Sequence, residues 1–89
     1  MPSKTAIITG AARGIGFATA RRLQTQGLRV ALVDRDEAAL AEAAVALPEA
    51  LPFLCDVSQP DQVDQMAAAV TQQLGRVDVL VNNAGVADF

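Results

Sequence analysis

Short apolar runs rich in β-branched residues alternate along this 89-residue chain with longer segments of helical period, and no other feature restricts its fold as much. Residues 5–9, 29–33, 51–56 and 77–81 read as strands. Runs this short and almost wholly apolar suit strands covered on both faces, as in a parallel sheet flanked by its crossover helices. The intervening helices follow from their periods and stops. Ile15, Thr19 and Leu23 recur every fourth residue over 14–26, and Gly27 ends that segment. Residues 36–47 are rich in alanine, which permits close packing on a sheet, and Pro48 ends them. Ser58 is positioned to cap a third helix, with Asp61 three residues on resembling a capping box and Pro60 in the first turn. Val63, Met66, Ala67, Val70 and Leu74 give that helix one apolar stripe, closed by Gly75. Pro52 suggests that the third strand is an edge strand, since proline cannot donate to a ladder on both sides.

The order β-α-β-α-β-α-β with right-handed crossovers predicts a parallel sheet ordered 3-2-1-4 within a three-layer α/β sandwich of Rossmann type. The winding direction reverses between strands one and four. Ligands of open α/β sheets bind at such a reversal, beyond the carboxyl ends of the strands, and Thr9, Asp34, Asp56 and Asn82 fall at those ends. The fourth strand has no predicted neighbour on its other side, so the sheet is expected to be incomplete at that edge.

Composition narrows the function. Apolar residues make up 52% of the chain, with three Phe and neither Tyr nor Trp, so the core must be built from Ala, Val, Leu and Ile. Seven Lys and Arg against ten Asp and Glu give a net charge of -3 and no basic stripe to follow a phosphate backbone, which argues against a nucleic-acid partner. The apolar runs fall far short of the roughly 18 to 20 residues that span a bilayer, and residues 1–5 lack the pattern of a secretion signal. The expectation is a soluble cytoplasmic protein with no membrane contact. Cys55, the single cysteine, sits among Phe53, Leu54 and Val57 and reads as an inert core thiol; no metal site is expected.

Gly10, Gly14 and Gly16 lie between the first strand and the first helix in the spacing G-x-x-x-G-x-G. Residues without Cβ let the backbone turn sharply and let a pyrophosphate approach the helix N-terminus, where unpaired N–H groups and the dipole favour an anion. A purely structural glycine turn is the alternative. Asp34 stands 24 residues after Gly10 at the end of strand two, where a carboxylate accepts hydrogen bonds from an adenosine ribose. It would repel a 2′-phosphate, which favours NAD over NADP; Arg13 and Arg35 pull the other way, since either guanidinium could pair with a phosphate. Asp34 could instead, or in addition, cap the helix that begins near Asp36.

Thr9-Gly10-x-x-x-Gly14-Ile15-Gly16 together with Asn82-Asn83-Ala84-Gly85, in this order around this strand pattern, resembles the short-chain dehydrogenase/reductase family over essentially the whole chain. The resemblance implies that the turn residues Gly10, Ala12, Arg13, Gly14, Ile15 and Gly16 hold the pyrophosphate of a nicotinamide dinucleotide. It implies that Asp34 meets the adenosine half, with Arg35 beside it as a further cofactor-binding residue, that Asp56 accepts from the adenine amino group, and that the Val57 backbone meets the ring. Asn82, Asn83, Ala84 and Gly85 would steady the central strands, with Asn83 near a ribose. Without the resemblance, Asp56 is equally a solvated strand-end carboxylate, and Asn82-Asn83 an ordinary turn.

Enzymes of this family also use a Ser, a Tyr and a Lys four residues after the Tyr, with an Asn on an intervening helix, for proton transfer. This chain has no Tyr, its one Lys is Lys4, and Ser3 and Ser58 lie in the wrong places, so none of its residues is expected to be catalytic. Two readings follow. Residues 1–89 are the N-terminal part of a single NAD(P)-binding domain of an alcohol dehydrogenase or carbonyl reductase, the complete enzyme being a homo-oligomer; or the chain is a short protein that binds a nucleotide or a partner without turnover. The unpaired apolar edge of strand four favours the first.

Overall fold

The computed structural model describes residues 4–84, in the order β1 (Thr5–Thr9), α1 (Gly14–Thr25), β2 (Arg29–Asp34), α2 (Glu37–Ala46), β3 (Leu51–Leu54), α3 (Pro60–Leu74) and β4 (Val79–Asn82). All strands run parallel and the sheet order is β3-β2-β1-β4, as the alternation of elements predicts. Every residue of β1 is buried, and Ile8 pairs with Leu32 on one side and Val81 on the other.

Side chains of a strand alternate between faces, so the central strands serve two cores. Ala6 and Ile8 of β1 and Val30 and Leu32 of β2 pack with Ala20 of α1 and Leu40 and Ala43 of α2. Ile7, Ala31 and Val33 instead lie under Met66, Val70 and Leu74 of α3. Two helices on one face and one on the other make three layers, and the chain changes face between β3 and β4. Burying a side chain such as Ile8 or Leu32 completely contributes about 1.5–3 kcal/mol, so the central pair anchors the fold.

The elements depart from their predicted form in five places, the first being β4, which begins at Val79 rather than Val77. In α1 the buried side is Gly16 and Ala20, with Phe17 and Leu23 packed beside it, while Ile15 is 77% exposed; close approach to the sheet selects the small residues. β3 stops at Leu54 rather than Asp56: Cys55 N–H still donates to Asp34 O at 3.0 Å, but Asp56 N–H turns to the Gln62 side chain at 2.8 Å. Ser58 does not cap α3. Gln59 occupies the cap position without a side-chain bond, and the Ser58 hydroxyl donates to Asp56 Oδ1 instead, at 2.7 Å. In the α3 stripe Met66, Val70 and Leu74 are buried and Val63 is half-buried, but Ala67 faces solvent.

The two sheet edges differ. Because Cys55 N–H points toward β2, alternation turns the Phe53 N–H the same way and leaves the Pro52 nitrogen facing outward, where a missing donor costs the ladder nothing. On the other side no strand pairs with the outer edge of β4 among the described residues, and Leu80 is 63% exposed there. The inner side of β4 is clamped at its start, where the Asp78 carboxylate accepts Thr5 N–H at 2.9 Å and Asp78 N–H donates to Thr5 O at 2.9 Å.

Candidate functional site

β1 ends at Thr9, and the chain turns through Gly10 and Gly14, whose φ values of 63° and 60° lie in the left-handed region. Gly16 is required for a different reason: a Cβ there would stand 2.1 Å from Gly10 O and 2.8 Å from Asn83 Nδ2. The first turn of α1 is thus pressed against the backbone of the glycine turn. Ala11 N–H fastens that turn to β2 by donating to Val33 O at 3.1 Å, and Asn83 Nδ2 fastens it to the end of β4 by donating to Gly10 O at 3.3 Å.

The Thr9 hydroxyl joins the two central strand ends. It accepts Asn83 N–H at 2.9 Å and Ala84 N–H at 3.1 Å, and lies 3.1 Å from Asn82 Oδ1, to which it donates. Sequence reasoning placed Thr9 at a strand end without seeing this role; a buried hydroxyl at the end of an otherwise apolar strand is the signal, because such a group needs partners.

Asp34 faces the turn. Its Oδ2 accepts Ala12 N–H at 3.0 Å and its Oδ1 accepts Asp36 N–H at 3.0 Å. The capping role considered for Asp34 belongs to Asp36, whose Oδ1 accepts Ala39 N–H at 3.0 Å, while its Oδ2 pairs with the Arg13 guanidinium. The Ala39 N–H, joined by the Arg13 charge against some desolvation, holds the Asp36 carboxyl below the usual carboxylate value. Asp56 folds back on its own chain: Oδ1 accepts both the Ser58 hydroxyl and Ser58 N–H, the latter at 3.0 Å, and these two bonds hold its carboxyl low.

These strand ends surround an open cleft of about 800 Å³. Of the residues singled out from the sequence, Gly10, Arg13, Gly14, Ile15, Asp34, Arg35, Asp56, Val57, Asn83 and Ala84 line it. Ala12, Gly16 and Asn82 do not: Ala12 turns its amide to Asp34, Gly16 lies behind Gly10, and the Asn82 side chain is held by Thr9. Gly85 lies outside the described residues. Val33, Asp36, Cys55 and Ser58 line the cleft without having been anticipated. Asp36 could have been found as the cap that must precede an alanine-rich helix. Cys55 is buried as expected, at 1% exposure, and burial, seconded by the Asp56 charge, pushes its thiol pKa up.

The α1 N-terminus opens onto this cleft. Arg13 at its cap position makes no side-chain cap bond, its first turn carries no acidic residue, and apart from its chain neighbours and its own helix backbone no atom of the described residues lies within 4 Å of where a Gly14 Cβ would stand. Free N–H groups beside open space suit an anion.

A parallel sheet with helices on both faces and a cleft where the winding reverses defines a Rossmann-type α/β segment. The chain belongs to the short chain dehydrogenase family, a family of oxidoreductases, which it matches over residues 4–89. It is 43% identical to the meso-2,3-butanediol dehydrogenase of Serratia marcescens over 86 residues, covering 94% of this chain and 34% of that protein. Among solved structures, an actinorhodin polyketide ketoreductase with NADPH superposes with a TM-score of 0.90 at 43% identity, over 92% of this chain and 33% of that one. A short chain dehydrogenase/reductase from Burkholderia phymatum in complex with NAD gives a TM-score of 0.85 at 36% identity, over 88% of this chain and 29% of that one. The chain spans about a third of the length of the proteins it matches.

Proposed function

We propose that this segment holds the adenosine and pyrophosphate portions of NAD in an oxidoreductase acting on an alcohol or carbonyl substrate. The observation that carries the reading is the pairing, across one cleft, of an uncapped helix N-terminus at Gly14 with the carboxylate of Asp34. The open space at Gly14 fits a pyrophosphate, which the N–H groups of the first α1 turn would bind. Asp34 would accept from the adenosine ribose: its two oxygens each hold one backbone N–H, and a carboxylate accommodates about four donors in all. The Asp56 oxygen not engaged by Ser58 would accept from the adenine amino group, with the Val57 backbone against the ring and Asn83 near a ribose. When bound, the nicotinamide supplies hydride transfer to or from the substrate. The groups that move the proton are not among these residues, because a tuned phenol is the family's acid and this chain has no Tyr.

Titration of the full protein with both reduced dinucleotides tests the reading. NADH should bind more tightly than NADPH by about 1–3 kcal/mol, the scale of hydrogen bonds to a charged group. Equal or tighter binding of NADPH overturns the choice of NAD, and binding of neither overturns the function.

A further inference from the structure

Arg13 leaves the glycine turn and reaches the start of α2, where its guanidinium pairs with Asp36 Oδ2. Both residues line the cleft that also holds Asp34. The carboxylate is the fixed partner, because its other oxygen caps α2 through Ala39 N–H. The guanidinium is the longer and more exposed one, its side chain 69% accessible against 44% for Asp36. The neighbouring cation, Arg35, lies near enough to Asp56 to help hold that carboxyl low. Each of the two arginines on this rim therefore faces a carboxylate of the chain itself.

A dinucleotide carrying a 2′-phosphate differs from one without it by a dianion beside the adenosine ribose, and a guanidinium is the side chain that pairs best with such a group. We propose that Asp36 is a specificity latch: by holding Arg13 it withholds the cation that a 2′-phosphate would recruit, and its own charge adds repulsion, so the cleft favours the dinucleotide without the phosphate. This inference rests on the dinucleotide reading given above. It makes Asp36 a positioning residue that acts through Arg13, separate from the direct role of Asp34.

The test uses Asp36→Asn in the full protein, because asparagine caps a helix as well as aspartate while losing the charge. Calorimetric titration should show NADPH binding tightened about 3- to 10-fold, the range expected when an exposed ion pair and one like charge are removed, and NADH changed less than about twofold. Asp36→Ser, which also caps but is too short to reach Arg13, should give the same shift. The gain should vanish when Arg13→Gln is added to Asp36→Asn. An unchanged NADPH-to-NADH ratio in both variants overturns the latch while leaving the dinucleotide reading intact, as does a gain that survives loss of Arg13. Failure of the unmodified protein to bind either dinucleotide overturns both.

Discussion

At the glycine turn the wall of the cleft is backbone, whereas at the rim formed by Asp34, Asp36 and Asp56 it is side chain. Gly10 and Gly16 present main chain that is pressed against other main chain and tied down by the Thr9 hydroxyl and the Asn83 amide, while Gly14 borders open space and is set by its left-handed φ. The carboxylates on the rim are partly exposed, and Asp36 and Asp56 are oriented by hydrogen bonds within a few residues of chain, to Ala39 and Ser58, while Asp34 also accepts from Ala12 N–H across the cleft wall. Steric exclusion governs the first region and admits almost no substitution. Hydrogen bonds of about 1 kcal/mol each govern the second, so its residues can be exchanged with the fold intact. Shape is thus set at one end of the cleft, and the cofactor choice proposed above would be set at the other.

The most damaging way to break the comparison is Gly16→Ala. Its Cβ would collide with Gly10 O at 2.1 Å, and because both partners are backbone neither yields cheaply. A loss of at least about 3 kcal/mol in denaturant unfolding is expected, at the upper end for overpacked sites; a melt close to that of the unmodified protein would show that α1 can back away from the turn. Gly14→Val comes next. Open space receives the side chain, but φ of 60° strains a branched residue, and the methyl groups would occupy the position proposed for the pyrophosphate. Dinucleotide affinity should fall about 100-fold, or roughly 2.7 kcal/mol. Gly14→Asn, which tolerates this backbone better, separates the two causes: it should recover stability but not affinity.

On the rim the effects are smaller. Asp34→Ala should narrow the gap between NADH and NADPH by about 1–3 kcal/mol, and it also frees Ala12 N–H, so some loosening of the turn accompanies it. A gap that stays constant would remove Asp34 from cofactor choice. The smallest effect concerns pH. The Asp36 carboxyl titrates below its ordinary value of 3.8 in the folded protein, so its contribution to stability is fully present above that value and is lost as pH falls through the lowered folded one. The stability difference between the unmodified protein and Asp36→Asn should stay constant from about pH 7 to pH 5 and shrink below about pH 4. A difference that widens on acidification would contradict the sign.

The same contrast explains what the sequence could reveal. Glycine spacing encodes backbone shape directly and the alternation of elements sets the strand order, so the turn and the order are legible in the sequence, whereas the end of β3 is not. Local polar contacts are nearly degenerate. Asp34 and Asp36 are both credible caps two residues apart, and Ser58 is as good an anchor for Asp56 as it is a cap for α3, so only three-dimensional placement separates the choices. The period of α1 misled for a related reason: a fourfold pattern of larger residues drew attention to Ile15, while the sheet selected Gly16 and Ala20 for their size.

Pro52 has a consequence for growth of the sheet. An open strand edge is a template on which a further strand can dock, and a position with no N–H to offer interrupts the run of donors that strand would need. With the Pro52 nitrogen facing outward, the β3 edge is a poor template for such an addition.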